Sequence, residues 1–522
     1  MKYFSPSSII LFLCVLGICT SLFSQQKPNL LFIMTDQHRF DALSIAGNET
    51  VKTPNLDRIA KEGVFFENAY TANPVCVPAR ASFLTGLSPV ASKVEGNGDY
   101  ENPDIPRVPT FDSVLAENGY AAEYYGKWHT PYQFAECYDN KVKAVGPIGN
   151  RIGAAQIREY QRWLYNKGVK PKEPGEGQLF SNRNQRPYTP IPLDVNYENA
   201  QQSTDEKMKI RAKQHYQYGR IDLPANVSYA AYTAEETLEA LDRLAGKPFT
   251  LTASFDPPHP PMILQEPYYS MYDPADIPVP ECITDLMTDS PYKKKAAEPL
   301  QKRYRNAEHI QHMRSIYYGM ITEVDDWVGK ILDKLDTLGI AENTLIIFTA
   351  DHGEMLGDHG MNSKVMFYEG AVHIPLLMRF PQEVSAGTVV SDPVSALDVF
   401  STILDYMDMP IPPSNGISLR PFIEGNAPEH DVISYSLGRD VPNYMIRHQN
   451  LKLLLGQDAN YRGVDALYDL EADPLEMRNP ILSPIAPEKN RAQAMMMQER
   501  LVNWLKKHEP HKAEGIEQRK LF

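Results

Sequence analysis

Asn73-Pro74-Val75-Cys76-Val77-Pro78-Ala79-Arg80-Ala81-Ser82-Phe83-Leu84-Thr85-Gly86 is the stretch on which the reading of the chain turns. Pro78 fixes its own φ and disfavours a helical Val77, while Ala79 to Leu84 is a good helical run, so Cys76 is expected just before a helix N-terminus. There the unpaired N–H groups and the helix dipole favour an anion. Arg80, about one turn inside, adds a permanent charge whose forked donors suit a sulfate or phosphate group. A lone cysteine is more often a buried structural thiol beside a solvated arginine, so the rest of the chain has to decide.

Working outward, apolar runs at 29–34 (NLLFIM), 120–125, 248–255 (PFTLTASF) and 344–350 (TLIIFTA) read as buried strands of a parallel sheet. In open α/β sheets the ligand site lies beyond the carboxyl ends of the strands. The first run ends at Asp36 and Gln37, the second at Gly126-Lys127-Trp128-His129, the third at Asp256-Pro257-Pro258-His259-Pro260-Pro261, and the fourth at Asp351-His352-Gly353. Lys364 follows in the glycine-rich loop 353–364. Lys127 and His129 share a face if the chain there stays extended. The prolines are expected to hold His259 in a stiff, extended segment. Singly, a solvated lysine or an idle histidine would be the ordinary reading of each; random placement would not put polar groups at the end of every buried strand.

Stretches 54–63, 110–119, 232–244 and 309–338 have helical periodicity, 64–70 reads as one strand, and 374–379 as a fifth strand of the large sheet. From 131 to 226 the chain is polar and rich in Gln, Asn, Pro and Tyr, with one helix around 154–166, which suits a long insertion on the rim of a site. Arg151, Arg183, Arg186 and His215 in it are candidate substrate contacts among charges that mostly solvate a loop. The run Lys293-Lys294-Lys295 reads as a solvated face. After 425, short strands at 431–437, 444–447, 451–455 and 467–470 and a helix at 488–507 suit a small antiparallel sheet with one helix.

At 522 residues the chain exceeds one ordinary core, so two domains are expected: 25–425, carrying the site, and 426–522. A formal charge of −14 argues against a nucleic-acid partner, though a local basic cleft could still take an anionic substrate. Residues 1–24 have the pattern of a signal peptide, with Lys2 before an apolar run too short to span a membrane. An exported, periplasmic or secreted protein with no membrane span follows. Ile18 is too bulky for the small residue that a lipoprotein cleavage before Cys19 wants. Without the leader, Cys76, Cys137 and Cys282 remain, and the last two could pair in an oxidising compartment.

C-x-P-x-R followed by x-x-x-L-T-G at Cys76 to Gly86 resembles the signature of the type I sulfatases, in which the cysteine is oxidised after translation to formylglycine. G-K-W-H at 126–129, F-D-P-P-H-P-P at 255–261 and GISLRPFIEG at 416–425 resemble segments of the same family, so the likeness runs from Pro28 to beyond Leu470. It implies the alkaline-phosphatase-like fold: a large mixed, mostly parallel sheet sandwiched by helices, with a smaller C-terminal antiparallel sheet and helix.

The resemblance also implies a reaction. An aldehyde hydrate on Cys76 attacks sulfur and the sulfo-enzyme collapses by elimination. Arg80 steadies the hydrate and His129 takes its second proton. Lys127, His259 and Lys364 grip the sulfate oxygens, and His259 or Lys364 protonates the leaving oxygen. A divalent cation sits on Asp36, Gln37, Cys76, Asp351 and His352. Calcium is the first choice, with magnesium or manganese open because His352 offers nitrogen. A maturation enzyme that generates formylglycine is an implied partner. The substrate class is a sulfated carbohydrate, algal (ulvan or carrageenan) or a glycosaminoglycan oligosaccharide. Other readings are a phosphodiesterase or phosphonate hydrolase of the same superfamily, or an inactive exported glycan-binding protein.

Overall fold

The structure is a computed structural model that describes residues 27–138, 142–144, 160, 163–164, 166–169, 218–220, 223–292, 304–438, 441–457, 460, 463–482 and 488–521. The leader, most of the helix expected at 154–166, the lysine run at 293–295, and Arg151, Arg183, Arg186 and His215 lie outside these residues.

The large sheet contains β1 (Asn29–Thr35), β2 (Val64–Phe66), β3 (Ala121–Gly126), β4 (Val142–Ala144), β5 (Phe249–Phe255), β6 (Thr344–Ala350), β7 (Leu376–Arg379) and β8 (Thr388–Val390), in the spatial order β8-β2-β7-β6-β1-β5-β3-β4. Its pairings are parallel except that β7 runs against both β6 and β2. The apolar runs are continuous because both faces are covered. Leu30, Phe32 and Met34 point into a core shared with Phe83, Phe111 and Phe400, whereas Leu31 and Ile33 pack with Leu241, Val328 and Ile331 on the other side. The first core is capped by α2 (Cys76–Thr85), α3 (Phe111–Glu117) and α6 (Ala396–Tyr406); the second by α1 (Pro54–Lys61), α4 (Tyr229–Leu244) and α5 (Ala307–Thr337).

Several local expectations are corrected. The strand expected over 64–70 is broken at Glu67-Asn68 into Val64–Phe66 and Ala69–Tyr70. Part of the stretch expected to be rim insertion, Val142–Ala144, is the edge strand of the large sheet. The pairing of Cys137 with Cys282, which the sequence left open, is not made: both are free thiols. Cys76 is the first residue of α2, not the residue before it, with Val75 extended as the cap (φ −145°, ψ 135°). Pro78 is tolerated there because N–H groups of a first turn have no intrahelical partner to lose.

The C-terminal sheet, β9 (Val432–Tyr435), β10 (Tyr444–His448), β11 (Leu451–Leu455) and β12 (Ala466–Asp469), is antiparallel throughout. Met497, Leu501 and Leu505 of α7 (Glu488–His508) cover its apolar face. A second helix, α8 (Pro510–Glu517), was not expected; Pro510 in its first turn ends one helix and starts the next. The sheet is joined to the main body by a buried charge cluster. Lys452 Nζ lies 2.8 Å from both Glu369 Oε1 and Glu476 Oε1, and Tyr70 donates to Glu369 Oε2 at 2.7 Å.

Candidate active site

Strand register decides which side chains meet. Thr35, the last residue of β1, lies opposite Phe255 and Ala350, and Gly126 lies opposite Ser254, so β1, β3, β5 and β6 finish nearly flush. The residues that follow them, Asp36, Lys127, Asp256 and Asp351, therefore emerge side by side at one sheet edge. Gly126 has φ +96°, and a Cβ there would collide with the Ser254 carbonyl oxygen; glycine is what allows β3 to turn Lys127 inward. Helix α2 brings Cys76 and Arg80 against the same edge.

Arg80, 2% exposed, is the hub. Its Nε donates to Asp351 Oδ2 at 2.8 Å, Nη2 to Asp36 Oδ2 at 3.2 Å, and Nη1 to the Lys127 carbonyl at 3.0 Å and Ser254 Oγ at 2.8 Å. Lys127 Nζ lies 2.5 Å from Asp36 Oδ2 and 3.2 Å from Asp256 Oδ1. Cys76 Sγ stands 3.2 Å from His352 Nε2, 3.3 Å from Lys364 Nζ and 3.9 Å from Asp36 Oδ1. If the cysteine is oxidised, that sulfur stands in for a hydrate oxygen carried on the same Cβ.

The histidines reach the centre differently from the expectation. Lys127 to His129 is not extended, because His129 has φ +41°; its buried ring packs edge-on to Tyr100 with centroids 5.5 Å apart. His259 sits in a turn closed by its N–H on the Asp256 carbonyl at 3.1 Å, so the proline-flanked segment is bent where an extended one was expected. Its Nδ1 pairs with the Pro260 carbonyl at 2.7 Å and Nε2 lies 3.9 Å from Asp36 Oδ1. His352 Nδ1 pairs with the Gly353 carbonyl at 2.9 Å, which turns Nε2 toward Cys76. Lys364 Nζ also donates to Gln37 Oε1 at 2.5 Å.

Charge at the centre is set by this crowding. Burial works against the Asp36 carboxylate, but Lys127, His259, Lys364 and Arg80 outweigh it and hold the group well below the ordinary range. Burial and the Asp36 charge push Asp351 up to about 6. Burial and Asp36 oppose ionisation of Cys76, yet Lys364, His352 and Lys127 hold the thiol well down. Burial, Lys127 and Lys364 push His259 down to about 3, so its ring is neutral at pH 7, and burial likewise lowers His129. Burial opposes the charge on Lys364, but Cys76, Asp36 and Asp351 raise it.

Asp36, Gln37, Cys76, Arg80, Lys127, His129, His259, Asp351, His352 and Lys364 thus converge on one centre. Ser254, Asp256 and Glu354 were missed. Asp256 was findable, since it occupies the same position after its strand as Asp36 and Asp351. Glu354 follows directly on Asp351-His352-Gly353, and its role depends on contacts across the chain that no local pattern announces.

One oxygen each of Asp36 and Asp351, Cys76 Sγ and a nitrogen of His352 lie within 4.8 Å of one another, all buried. Two carboxylates brought together out of water suit a divalent cation, and the Gln37 amide oxygen adds a further hard donor beside them. The donor set therefore fits the cation expected from the sequence.

Comparison with known proteins agrees with this geometry. The sulfatase family matches residues 28–409, and the C-terminal region of N-sulphoglucosamine sulphohydrolase matches 357–507. An arylsulfatase of Clostridium perfringens is 30% identical over 489 residues, covering 88% of this chain and 91% of that protein. An N-acetylglucosamine-6-O-sulfatase of Bacteroides thetaiotaomicron is 27% identical, covering 98% and 93%. The crystal structure of a phosphonate monoester hydrolase of Agrobacterium radiobacter superposes with a TM-score of 0.73 at 25% identity, covering 92% of this chain and 96% of that one. With its mixed, mostly parallel sheet and small antiparallel C-terminal sheet, the fold is alkaline-phosphatase-like. The chain belongs to the sulfatase family and is a sulfuric ester hydrolase.

Proposed function

We propose that this sulfatase removes sulfate from a sulfated carbohydrate with Cys76, oxidised to formylglycine, as nucleophile. The observation that carries the reading is the position of Cys76: the start of a buried helix, 3.3 Å from Lys364 Nζ and next to the Arg80–Asp36–Asp351 cluster. Oxidised, the residue offers a hydroxyl nucleophile. Arg80, fixed by its contacts beneath α2, holds the neighbouring carboxylates in place. Lys127, on Asp36, and Lys364, on Cys76, supply positive charge for the sulfate oxygens. His129 is the base for the proton left on the nucleophilic residue. The leaving oxygen takes its proton from His259 or Lys364; in the free protein it is Lys364 that is charged. Asp36, Gln37, Cys76, Asp351 and His352 would hold a divalent cation, calcium first with magnesium or manganese as alternatives, which polarises the sulfate when bound.

Residues 25–425 form the catalytic unit in this reading and 426–522 a C-terminal subdomain. The leader directs export to the periplasm or beyond, and a formylglycine-generating enzyme is a required partner. Sulfated oligosaccharides, of algal (ulvan or carrageenan) or glycosaminoglycan type, are the proposed substrates. Support comes from the relative named as an N-acetylglucosamine-6-O-sulfatase, which aligns over nearly the whole chain. A second reading, hydrolysis of phosphonate or phosphate diesters, is favoured by the phosphonate monoester hydrolase neighbour. An inactive glycan-binding protein is the third. Matured enzyme should be assayed on defined sulfated oligosaccharides, an aryl sulfate, a phosphate diester and a phosphonate monoester. Preference for sulfate esters supports the proposal, preference for the phosphorus substrates supports the second reading, and no turnover of any substrate supports the third.

A further inference from the structure

Glu354 lies two residues beyond His352 and is fully buried. Its backbone is pinned by N–H donation to the Gly370 carbonyl at 2.8 Å and by Arg39 Nη1 on its own carbonyl at 2.7 Å. The carboxylate spans two loops. Oε2 accepts from the Gln37 side-chain amide, and Oε1 accepts from the Ser363 N–H and from the Leu356 N–H at 3.2 Å.

A side-chain amide has an accepting end and a donating end, and nothing intrinsic to Gln37 fixes which faces the site. Its backbone is held in the left-handed region (φ +69°), with its N–H on Asp351 Oδ1 at 3.0 Å and its carbonyl accepting from Tyr317 at 2.7 Å. Glu354 takes the NH₂ end, so the oxygen points to the Lys364 ammonium at 2.5 Å, on the Cys76 side. The other carboxylate oxygen anchors the loop that carries that ammonium. Ser363 (φ +71°) and Val365 (φ +76°), on either side of Lys364, both adopt the left-handed conformation that non-glycine residues resist, so this loop needs an external hold.

We infer that Glu354 is a positioning residue that fixes the Gln37 amide with its oxygen toward the cation site and anchors the Lys364 loop. The inference rests on the cation reading above. Its test uses formylglycine-bearing enzyme stripped of metal, with calcium binding measured by titration calorimetry. Glu354→Gln preserves shape and can still accept from Ser363 and Leu356, but presents NH₂ to Gln37. It should weaken calcium binding about 10–100-fold, the usual effect of removing such an outer hydrogen bond, while the unfolding midpoint in chelator stays near that of the parent. The exchange Gln37→Glu/Glu354→Gln keeps the total charge and restores a donor facing an acceptor, with oxygen toward the cation, so it should recover most of the affinity. Glu354→Gln binding calcium as tightly as the parent, or the exchange binding no better than Glu354→Gln, would overturn the inference. A parent enzyme that binds no calcium, magnesium or manganese would instead overturn the cation reading, and this inference with it.

Discussion

Replacing Arg80 by methionine, a side chain of nearly the same bulk, removes the guanidinium and takes one donor from each of four buried acceptors. Asp351 Oδ2, Asp36 Oδ2, Ser254 Oγ and the Lys127 carbonyl all lose a bond of 2.8–3.2 Å. All four are charge-assisted, since the donor is the guanidinium, and each is worth about 1.5–3 kcal/mol. The loss is offset in part because Asp36 keeps Lys127 Nζ at 2.5 Å and Asp351 keeps the Gln37 and His352 N–H groups at 3.0 and 2.9 Å. Breaking one member of a buried ion pair ordinarily costs about 3–5 kcal/mol, and that range is expected here. Urea unfolding followed by tryptophan fluorescence at pH 7 reads it directly. The deficit should be largest in chelator and shrink in saturating calcium, because a cation on Asp36 and Asp351 substitutes for the missing charge. A loss below about 1 kcal/mol in chelator, or one that calcium does not reduce, would refute the reading of Arg80 as the charge that holds these carboxylates together.

Sugar sulfates need a proton on the departing oxygen and nitrophenyl sulfate does not, so the variant lacking the acid should lose on the order of a hundredfold on the sugar and far less on the aryl ester. Lys364, charged in the free protein, is expected to show that split, whereas His259→Ala should lose comparably on both; the reverse pattern would assign the proton to His259. Lys452→Met should cost about 3–5 kcal/mol of stability, because the buried Glu476 and the partly buried Glu369 lose their shared cation. Burial opposes ionisation of Glu369, but Lys452 and His373 hold it down to about 2; such a group stabilises the fold above the ordinary glutamate range and loses that contribution as pH falls toward 2. The acid limb of the parent's stability profile should therefore be flatter in Lys452→Met, and an unchanged profile would remove the cluster from that role. Exhaustive chelation should abolish turnover and calcium should restore it, with full activity in metal-free enzyme as the contrary result.

Much of the fold was legible because continuous apolar strands announce burial on both faces, and β1, β5 and β6 fall within a residue of their expected bounds. The polar groups at the strand ends were legible for the same reason: register is flush, so residues just past each strand must meet. What the sequence hid was local backbone geometry. The left-handed turn at His129 and the bend at His259 are imposed by packing around the centre, and linear spacing suggested extended chain at both. The break at Glu67-Asn68 and the start of α2 at Cys76 are boundary effects that propensity places only to within a residue or two. Glu354 stayed hidden because its partners, Gln37 and Ser363, come from different loops and meet only in the folded chain.

The central claim is that Cys76 works as formylglycine. Enzyme produced with a competent maturation system should be digested with trypsin, and the peptide Glu62–Arg80 weighed and trapped with a carbonyl reagent, alongside the aryl sulfatase rate of the same preparation. The account predicts an aldehyde in place of the thiol, in a fraction that rises and falls with the rate. Full activity in a preparation whose peptide carries only unmodified thiol would contradict it.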